Sequence, residues 1–310
     1  MDYILLLAGF TILILGGNWL LKAAIDLSLR LQIPKIVIGM TVVSFATSMP
    51  ELLVSLNSAL NGHADIAFGN VIGSNIANLG LVLGIVIIFS TIKVEKSFYK
   101  IDWPVMMLAS ILFYFFIASD GILQRYEGAI LFVLLIVFLV FVLKFQKPAK
   151  AEEEIQEGKI MSIYLTLFYL ALGGVGLWAG SELLIKGAVN LATQYGVSER
   201  IIGITIISIG TSVPELAASI MAIIKKEKAI SLGNLIGSNI FNILAVLGIT
   251  SMITPIIVQD PGLLTNDIIW MLCITLLVLP LVFVPVRMKL TWKEGLILLG
   301  IYMIFITLML

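Results

Sequence analysis

Apolar runs of bilayer-spanning length recur from one end of this 310-residue sequence to the other. A hydrocarbon core about 30 Å thick takes roughly 20 apolar residues as a helix. Backbone groups there find no water, so such runs satisfy their own hydrogen bonds as helices. The chain is 60% hydrophobic and 12% charged, with a mean hydropathy of +1.12, whereas soluble domains carry about 25% charged residues. The expected fold is an all-α polytopic membrane protein with ten transmembrane helices, near 3–30, 35–60, 66–90, 102–118, 127–146, 161–193, 200–224, 229–253, 266–285 and 291–309. The first and sixth exceed the usual length and are expected to tilt or bend. Met1-Asp2-Tyr3 offers no basic n-region, so the first run is expected to be retained. One cysteine, Cys273, and one histidine, His63, form neither an internal disulfide nor a zinc site. The formal net charge of zero carries no sign of nucleic-acid binding, and no such partner is expected.

Basic residues orient the spans. Fifteen of the 19 Lys and Arg fall in loops that would share one side, against Arg125 and Arg200 on the other, with Lys22 and Lys186 inside spans. Such asymmetry marks the cytoplasmic face. It puts both termini outside the cell membrane. The polar stretch "KFQKPAKAEEEIQEGK", 144–159, is expected to be a solvated cytoplasmic linker.

Shifted by 164 residues, the sequence overlays itself without a gap from Gly16 to Gly84. "GMTVVSFATSMPELLVS" (39–55) lies on "GITIISIGTSVPELAAS" (203–219), and "GNVIGSNIANLGLVLG" (69–84) on "GNLIGSNIFNILAVLG" (233–248). The chain reads as two five-helix repeats, 1–146 and 161–310, joined by the linker 147–160. Five is odd, so the second copy is expected to enter the membrane from the opposite face. Inverted repeats of this kind build secondary transporters with midplane sites. A channel or membrane enzyme could also arise by duplication.

Each repeat sets a carboxylate and two hydroxyls beside a proline. Thr47 and Ser48 precede Glu51 by four and three residues and share its helical face; Thr211, Ser212 and Glu215 repeat this. Pro50 and Pro214 lack an N–H for the carbonyls of Ala46 and Gly210, four residues back. A simple proline kink satisfied by a neighbouring helix is the structural alternative. The oxygen-rich surroundings favour a hard cation such as Ca²⁺, Na⁺ or Mg²⁺, and a carboxylate in the bilayer is by default functional. Asn70, Ser74 and Asn78 form a polar stripe at i, i+4, i+8, matched by Asn234, Ser238 and Asn242. Asn78 and Asn242 are candidate ligands or ligand-orienting groups. The stripe with its GxxxG spacing could instead be packing glue. Lys22–Asp26 and Glu182–Lys186 are expected to neutralise each other at i, i+4 spacing. Asp102, Asp120, Asp260 and Asp267 fall near span ends, where solvation is expected.

On "ATSMPE", "GTSVPE" and the paired "GSNI-x-N" segments, the chain resembles the Ca²⁺/cation antiporter superfamily, in particular the prokaryotic sodium/calcium exchangers. The resemblance implies that Glu51 and Glu215 bind Ca²⁺ together with Thr47 and Thr211. It implies Na⁺ sites using Ser48, Ser212, Ser74, Ser238 and the backbone oxygens of Ser44 and Ser208. Asn242 stands where some relatives, potassium-dependent exchangers among them, carry aspartate, which leans towards potassium independence. Ala46 stands where the second motif has Gly210, a difference expected to be without consequence. The expected function is secondary active exchange of Ca²⁺ for Na⁺, with no enzymatic activity, no cofactor and no obligate protein partner. A Ca²⁺/H⁺ antiporter and a passive cation channel are the alternatives. No H-E-x-x-H motif supports a hydrolase.

Overall fold

The structure, a computed structural model, describes residues 2–145, 160–196 and 208–309. It is almost wholly helical. We label α1 (Asp2–Leu31), α2 (Lys35–Thr47), α3 (Met49–Leu60), α4 (Ala64–Phe89), α5 (Phe98–Asp120) and α6 (Arg125–Phe145). After the linker come α7 (Ile163–Gln194), α8 (Ser208–Thr211), α9 (Val213–Ile224), α10 (Lys228–Ile253), α11 (Leu263–Leu281) and α12 (Trp292–Met309). Among the described residues eight helices are long and apolar enough to cross a membrane singly, and the α2–α3 pair, bent by 44°, makes a ninth. The remaining expected span, 200–224, lies partly outside the described residues; α8 and α9 are its visible part.

Burial sorts these helices. The apolar windows of α4 and α10 are 78% and 83% buried, against 28–33% for the other single spans. The two GSNI helices are therefore the centre of the molecule, and the rest present apolar faces outward, as lipid requires. Within the centre α2 approaches α10 closely. A Cβ on Gly233 would lie 2.3 Å from the Ile36 carbonyl, and one on Gly237 2.5 Å from Met40 Cα. Glycine is what lets these backbones meet.

α1 and α7 pack along one another at the periphery. A Cβ on Gly16 would lie 2.7 Å from the Leu177 nitrogen, and one on Gly173 2.5 Å from the Leu20 nitrogen. Their 30 and 32 residues span about 45 Å at 1.5 Å per residue, more than a bilayer core. Both ends are clamped. At one end Asp26 accepts from the Met161 N–H (2.7 Å) and the Thr166 hydroxyl (2.6 Å), while Arg30 donates to the Met161 carbonyl. At the other, Asn190 and Gln194 each donate to Asp2 at 2.9 Å.

Among the described residues four two-residue strands tie the loops. β1 (Ile92–Lys93) pairs antiparallel with β4 (Lys289–Leu290), and β2 (Ile122–Leu123) with β3 (Ile256–Ile257). Each pair satisfies loop backbone at a helix end. The other loop contacts keep the same grouping. Lys35 meets Glu227, Lys228 donates to the Thr91 carbonyl, and the Gln259 N–H donates to Asp65. Each joins loops that the Lys and Arg count assigns to one side.

Three electrostatic expectations are corrected. Asp26 is taken up by Thr166, Met161 and Arg30, so Lys22 does not pair with it. The Lys22 ammonium lies 4.5 Å from the Tyr169 ring centroid instead, a cation–π contact. Glu182 and Lys186 form no ion pair among the described residues. Asp102 is buried, not solvated: its helix begins at Phe98, four residues earlier than expected, and carries it inside.

Candidate functional site

Each acidic motif lies at a helix break rather than in a kinked continuous helix. Ser48 has φ −88°, ψ 4° and Ser212 φ −90°, ψ 3°, outside the helical basin. Pro50 and Pro214 stand in the first turn of the helices that follow, where a missing N–H removes no bond. The break thus leaves carbonyl ends of α2 and α8 on one side and helix N-termini on the other. Glu51 and Glu215 fall in the first turns of α3 and α9. The helix dipole favours a carboxylate there, and the carbonyl ends favour a cation.

The two motifs converge through the central helices. The Thr47 hydroxyl donates to Asn234 Oδ1 (3.2 Å) and lies 3.2 Å from Ser238 Oγ, both on α10. At the related positions, Ser74 Oγ on α4 lies 3.2 Å from Thr211 Oγ1. Glu51 and Glu215 follow Thr47 and Thr211 by four residues, and both are wholly buried. Ser44 Oγ is 2.8 Å from the Asn234 carbonyl and 2.9 Å from that of Gly39, and its own carbonyl accepts from the Ser48 N–H. Ser208 opens α8.

Asn70 and Asn234, the outer residues of the polar stripes, brace the motifs. Asn70 donates to the Glu51 carbonyl (3.2 Å) and Ser55 Oγ (2.9 Å), and Asn234 donates to Ser219 Oγ (3.3 Å). Asn78 and Asn242 each begin a π-helical stretch, Asn78–Val82 and Asn242–Leu247, a local widening often found at functional sites.

Nine buried side-chain polar atoms on six of the expected residues have no hydrogen-bond partner among the described residues. They are Ser48 Oγ, both oxygens of Glu51 and of Glu215, both amide atoms of Asn78, Ser212 Oγ and Asn242 Oδ1. Buried polar groups are normally satisfied, and an isolated carboxylate costs several kcal/mol to bury. Eight of these atoms are oxygens, which is the donor set of a hard cation. The cluster brings two carboxyl groups and, among the residues just named, no basic side chain.

Three residues were missed in the sequence. Asn75 accepts from Asn242 Nδ2 at 3.1 Å and donates to the Asn239 carbonyl at 3.3 Å, so it fixes the Asn242 amide. Asn239 donates to the Leu235 carbonyl of its own helix. Their signal was present, since both are the asparagine of a GSNI segment. Ser181, on α7, donates to the Gly210 carbonyl at 2.8 Å, so that carbonyl is already occupied. Its repeat mate is Gly17, and no pattern marked it.

Comparison with known proteins fits this geometry. The family described as sodium/calcium exchanger protein matches residues 1–144 and 165–310. The putative antiporter CaxA of Alkalimonas amylolytica is 39% identical over 258 residues, covering 81% of each chain. The sodium/calcium exchanger MaX1 of Methanosarcina acetivorans is 27% identical, with 98% of this chain and 97% of that one covered. The solved structure of the sodium-calcium exchanger NCX_Mj, soaked without Na⁺ or Ca²⁺, superposes with a TM-score of 0.84 at 28% identity, covering 99% and 98%. A helical multi-pass membrane chain with this match is a cation antiporter, and it belongs to the sodium/calcium exchanger family.

Proposed function

We propose that the chain exchanges Ca²⁺ for Na⁺ across the cell membrane, binding both at one midplane site between two inverted five-helix repeats. The crossed Thr47–Ser238 and Ser74–Thr211 contacts, with the buried and unpartnered carboxylates of Glu51 and Glu215 four residues on from each threonine, carry this reading. The architecture has independent support. α3 and α9, and α4 and α10, begin and end 164 residues apart, and the loop contacts keep to two sides as a ten-span topology requires. Basic-residue counts place the termini outside and the linker 147–160 inside.

Glu51 and Glu215 together give the site a charge of −2. One Ca²⁺ neutralises it, and so do two Na⁺; a third Na⁺ leaves +1 and makes exchange electrogenic. Thr47, Thr211, Ser48, Ser212, Ser74, Ser238, Asn78 and Asn242, with the backbone oxygens of Ser44 and Ser208, complete the oxygen shell. An empty site holds two uncompensated charges and resists reorientation, so transport is obligatory exchange, with the α1–α7 pair as the moving body. The Na⁺ gradient sets the direction, because an ion bound equally from both faces shifts no equilibrium.

Proteoliposomes loaded with Na⁺ should take up ⁴⁵Ca²⁺ when diluted into Na⁺-free buffer, and not under K⁺ or H⁺ gradients alone. Uptake driven by a pH gradient without Na⁺ selects the Ca²⁺/H⁺ antiporter, since the same two carboxylates can carry protons. Flux without any counter-ion selects a channel.

A further inference from the structure

The break at Ser212 leaves the Gly210 carbonyl in the last turn of α8 without a helical partner, and in a membrane such a carbonyl must find another donor. Its donor is the Ser181 hydroxyl of α7, at 2.8 Å, from a side chain only 5% exposed. One turn further along α7, Ile185 fills the remaining space: a Cβ on Gly210 would lie 2.5 Å from Ile185 Cγ1. α7 therefore sits on the second break through two adjacent turns. The related residues at the first break are Gly17, Leu21 and Ala46. Gly17 has no hydroxyl to donate. Where α7 passes Ala46 it presents Gly174, and a Cβ there would lie 3.7 Å from Ala46 Cβ, an ordinary contact. The exchange of Gly210 for Ala46 is therefore not neutral. It accompanies a clasp built in one half only.

α7 does not move alone, since glycine packing and the clamps at both ends make it one body with α1. A hydrogen bond of 2.8 Å is lost once its atoms separate beyond about 3.5 Å. Sliding of α1–α7 past α8, across the bond, by roughly 2 Å or more takes it beyond that limit. The freed Gly210 carbonyl then needs a new partner, and the cation site is one residue away at Thr211.

We propose that Ser181 is a positioning residue for ion exchange: its hydroxyl locks α7 to the second motif in one access state and releases the Gly210 carbonyl in the other. This rests on the alternating-access reading above. It predicts a signature that general damage does not give. Losing a bond present in one state shifts the population of the two faces, so apparent affinity rises from one side and falls from the other. Loss of site integrity weakens both.

The test is Ser181→Ala, with Ser181→Cys as a near-isosteric weak donor, in proteoliposomes of known orientation. Half-saturating Ca²⁺ is measured from each face. Ser181→Ala should move the two constants in opposite directions, by about 2- to 10-fold in their ratio, the equivalent of one net hydrogen bond. Ser181→Cys should give the same sign and a smaller size, and carries the test if Ser181→Ala does not fold. Constants that move together, or stay within 1.5-fold of wild type, overturn the proposal. If wild-type protein exchanges a different cation pair, the sided constants are measured for that pair. Failure of the Na⁺/Ca²⁺ assignment and failure of the Ser181 assignment are thus read separately.

Discussion

The two helix breaks offer the same chemistry but rest on different supports. At the first, Thr47 reaches Asn234 and Ser238, and the α2 backbone lies against Gly233 and Gly237 of α10, the most buried helix. Ala46, Ser48 and Pro50 border a groove of 820 Å³ lined almost wholly by apolar side chains of α2, α3, α6, α7 and α10. At the second, Thr211 reaches Ser74 of α4, but Gly210 is clasped by Ser181 and Ile185 of the peripheral α7. The asparagines differ as well. Asn242 is held by Asn75, whereas neither amide atom of Asn78 has a partner among the described residues. Matching side chains on unequal supports are what the proposed exchange would use, with ions shared between the halves and motion concentrated in one.

The sharpest way to break this comparison is at the carboxylates. Glu51→Gln and Glu215→Gln each remove half of the site charge while keeping volume. If one ion is shared, both should reduce Na⁺-driven ⁴⁵Ca²⁺ uptake by about 100-fold or more, since charge-assisted contacts at a buried site are the strong ones. Unequal losses, with one variant near wild type, would show that the halves do not share an ion. Normal transport in both would sink the site.

Much of this was legible in the sequence, and the residues show why. Apolar run length located the spans, because lipid leaves the backbone little choice. α10 was expected at 229–253 and runs 228–253. The duplication pointed to Thr47, Glu51, Thr211 and Glu215, since chemistry needed in both halves is written twice. What depends on one half alone was illegible. Ser181 has a glycine for its mate, and only packing reveals what it touches. Asp102 looked solvated because its helix start was misjudged by four residues, the usual weakness of boundaries. Lys22 and Asp26 have ideal spacing, but tertiary partners on α7 outcompeted a pair worth only about 0.2–0.5 kcal/mol.

The supports can be tested against each other with one methyl group. Gly237→Ala puts a Cβ 2.5 Å from backbone atoms of Met40, which cannot yield without moving α2. Overpacking of that kind costs about 1–3 kcal/mol. Exchange should fall by about 10-fold or more, with a lower unfolding temperature in detergent. Gly210→Ala meets the Ile185 side chain instead, which can rotate away at about 0.5–1.5 kcal/mol. It should cost about 3- to 10-fold in rate and little in unfolding temperature. The reverse order would mean that α7, not α10, carries the heavier load.

The asparagines give a finer contrast. Asn75→Ala frees the Asn242 amide, so the half-saturating Ca²⁺ concentration should rise about 5-fold, matching about 1 kcal/mol for one hydrogen bond. Asn239→Ala removes a bond within its own helix and should leave that constant within about 2-fold. Equal shifts would show that Asn75 does not orient a ligand.

The smallest effect is expected far from the breaks, at the ends of the α1–α7 body. Asp26 is 5% exposed and accepts from both Met161 and Thr166. Asp26→Asn keeps one acceptor oxygen, weakens two charge-assisted bonds and leaves Arg30 without its acid. A net loss of about 1 kcal/mol follows from the difference between charged and neutral hydrogen bonds. The Asp2–Asn190 clamp at the other end is more exposed and joins neutral amides to an acid, so Asn190→Ala should shift unfolding less. If α1 and α7 move as one body, neither variant should alter the ratio of the two sided Ca²⁺ constants, because each clamp then lies within that body. A sided shift with Asp26→Asn would mean that α1 and α7 separate during exchange, and Ser181 would then report on α7 alone.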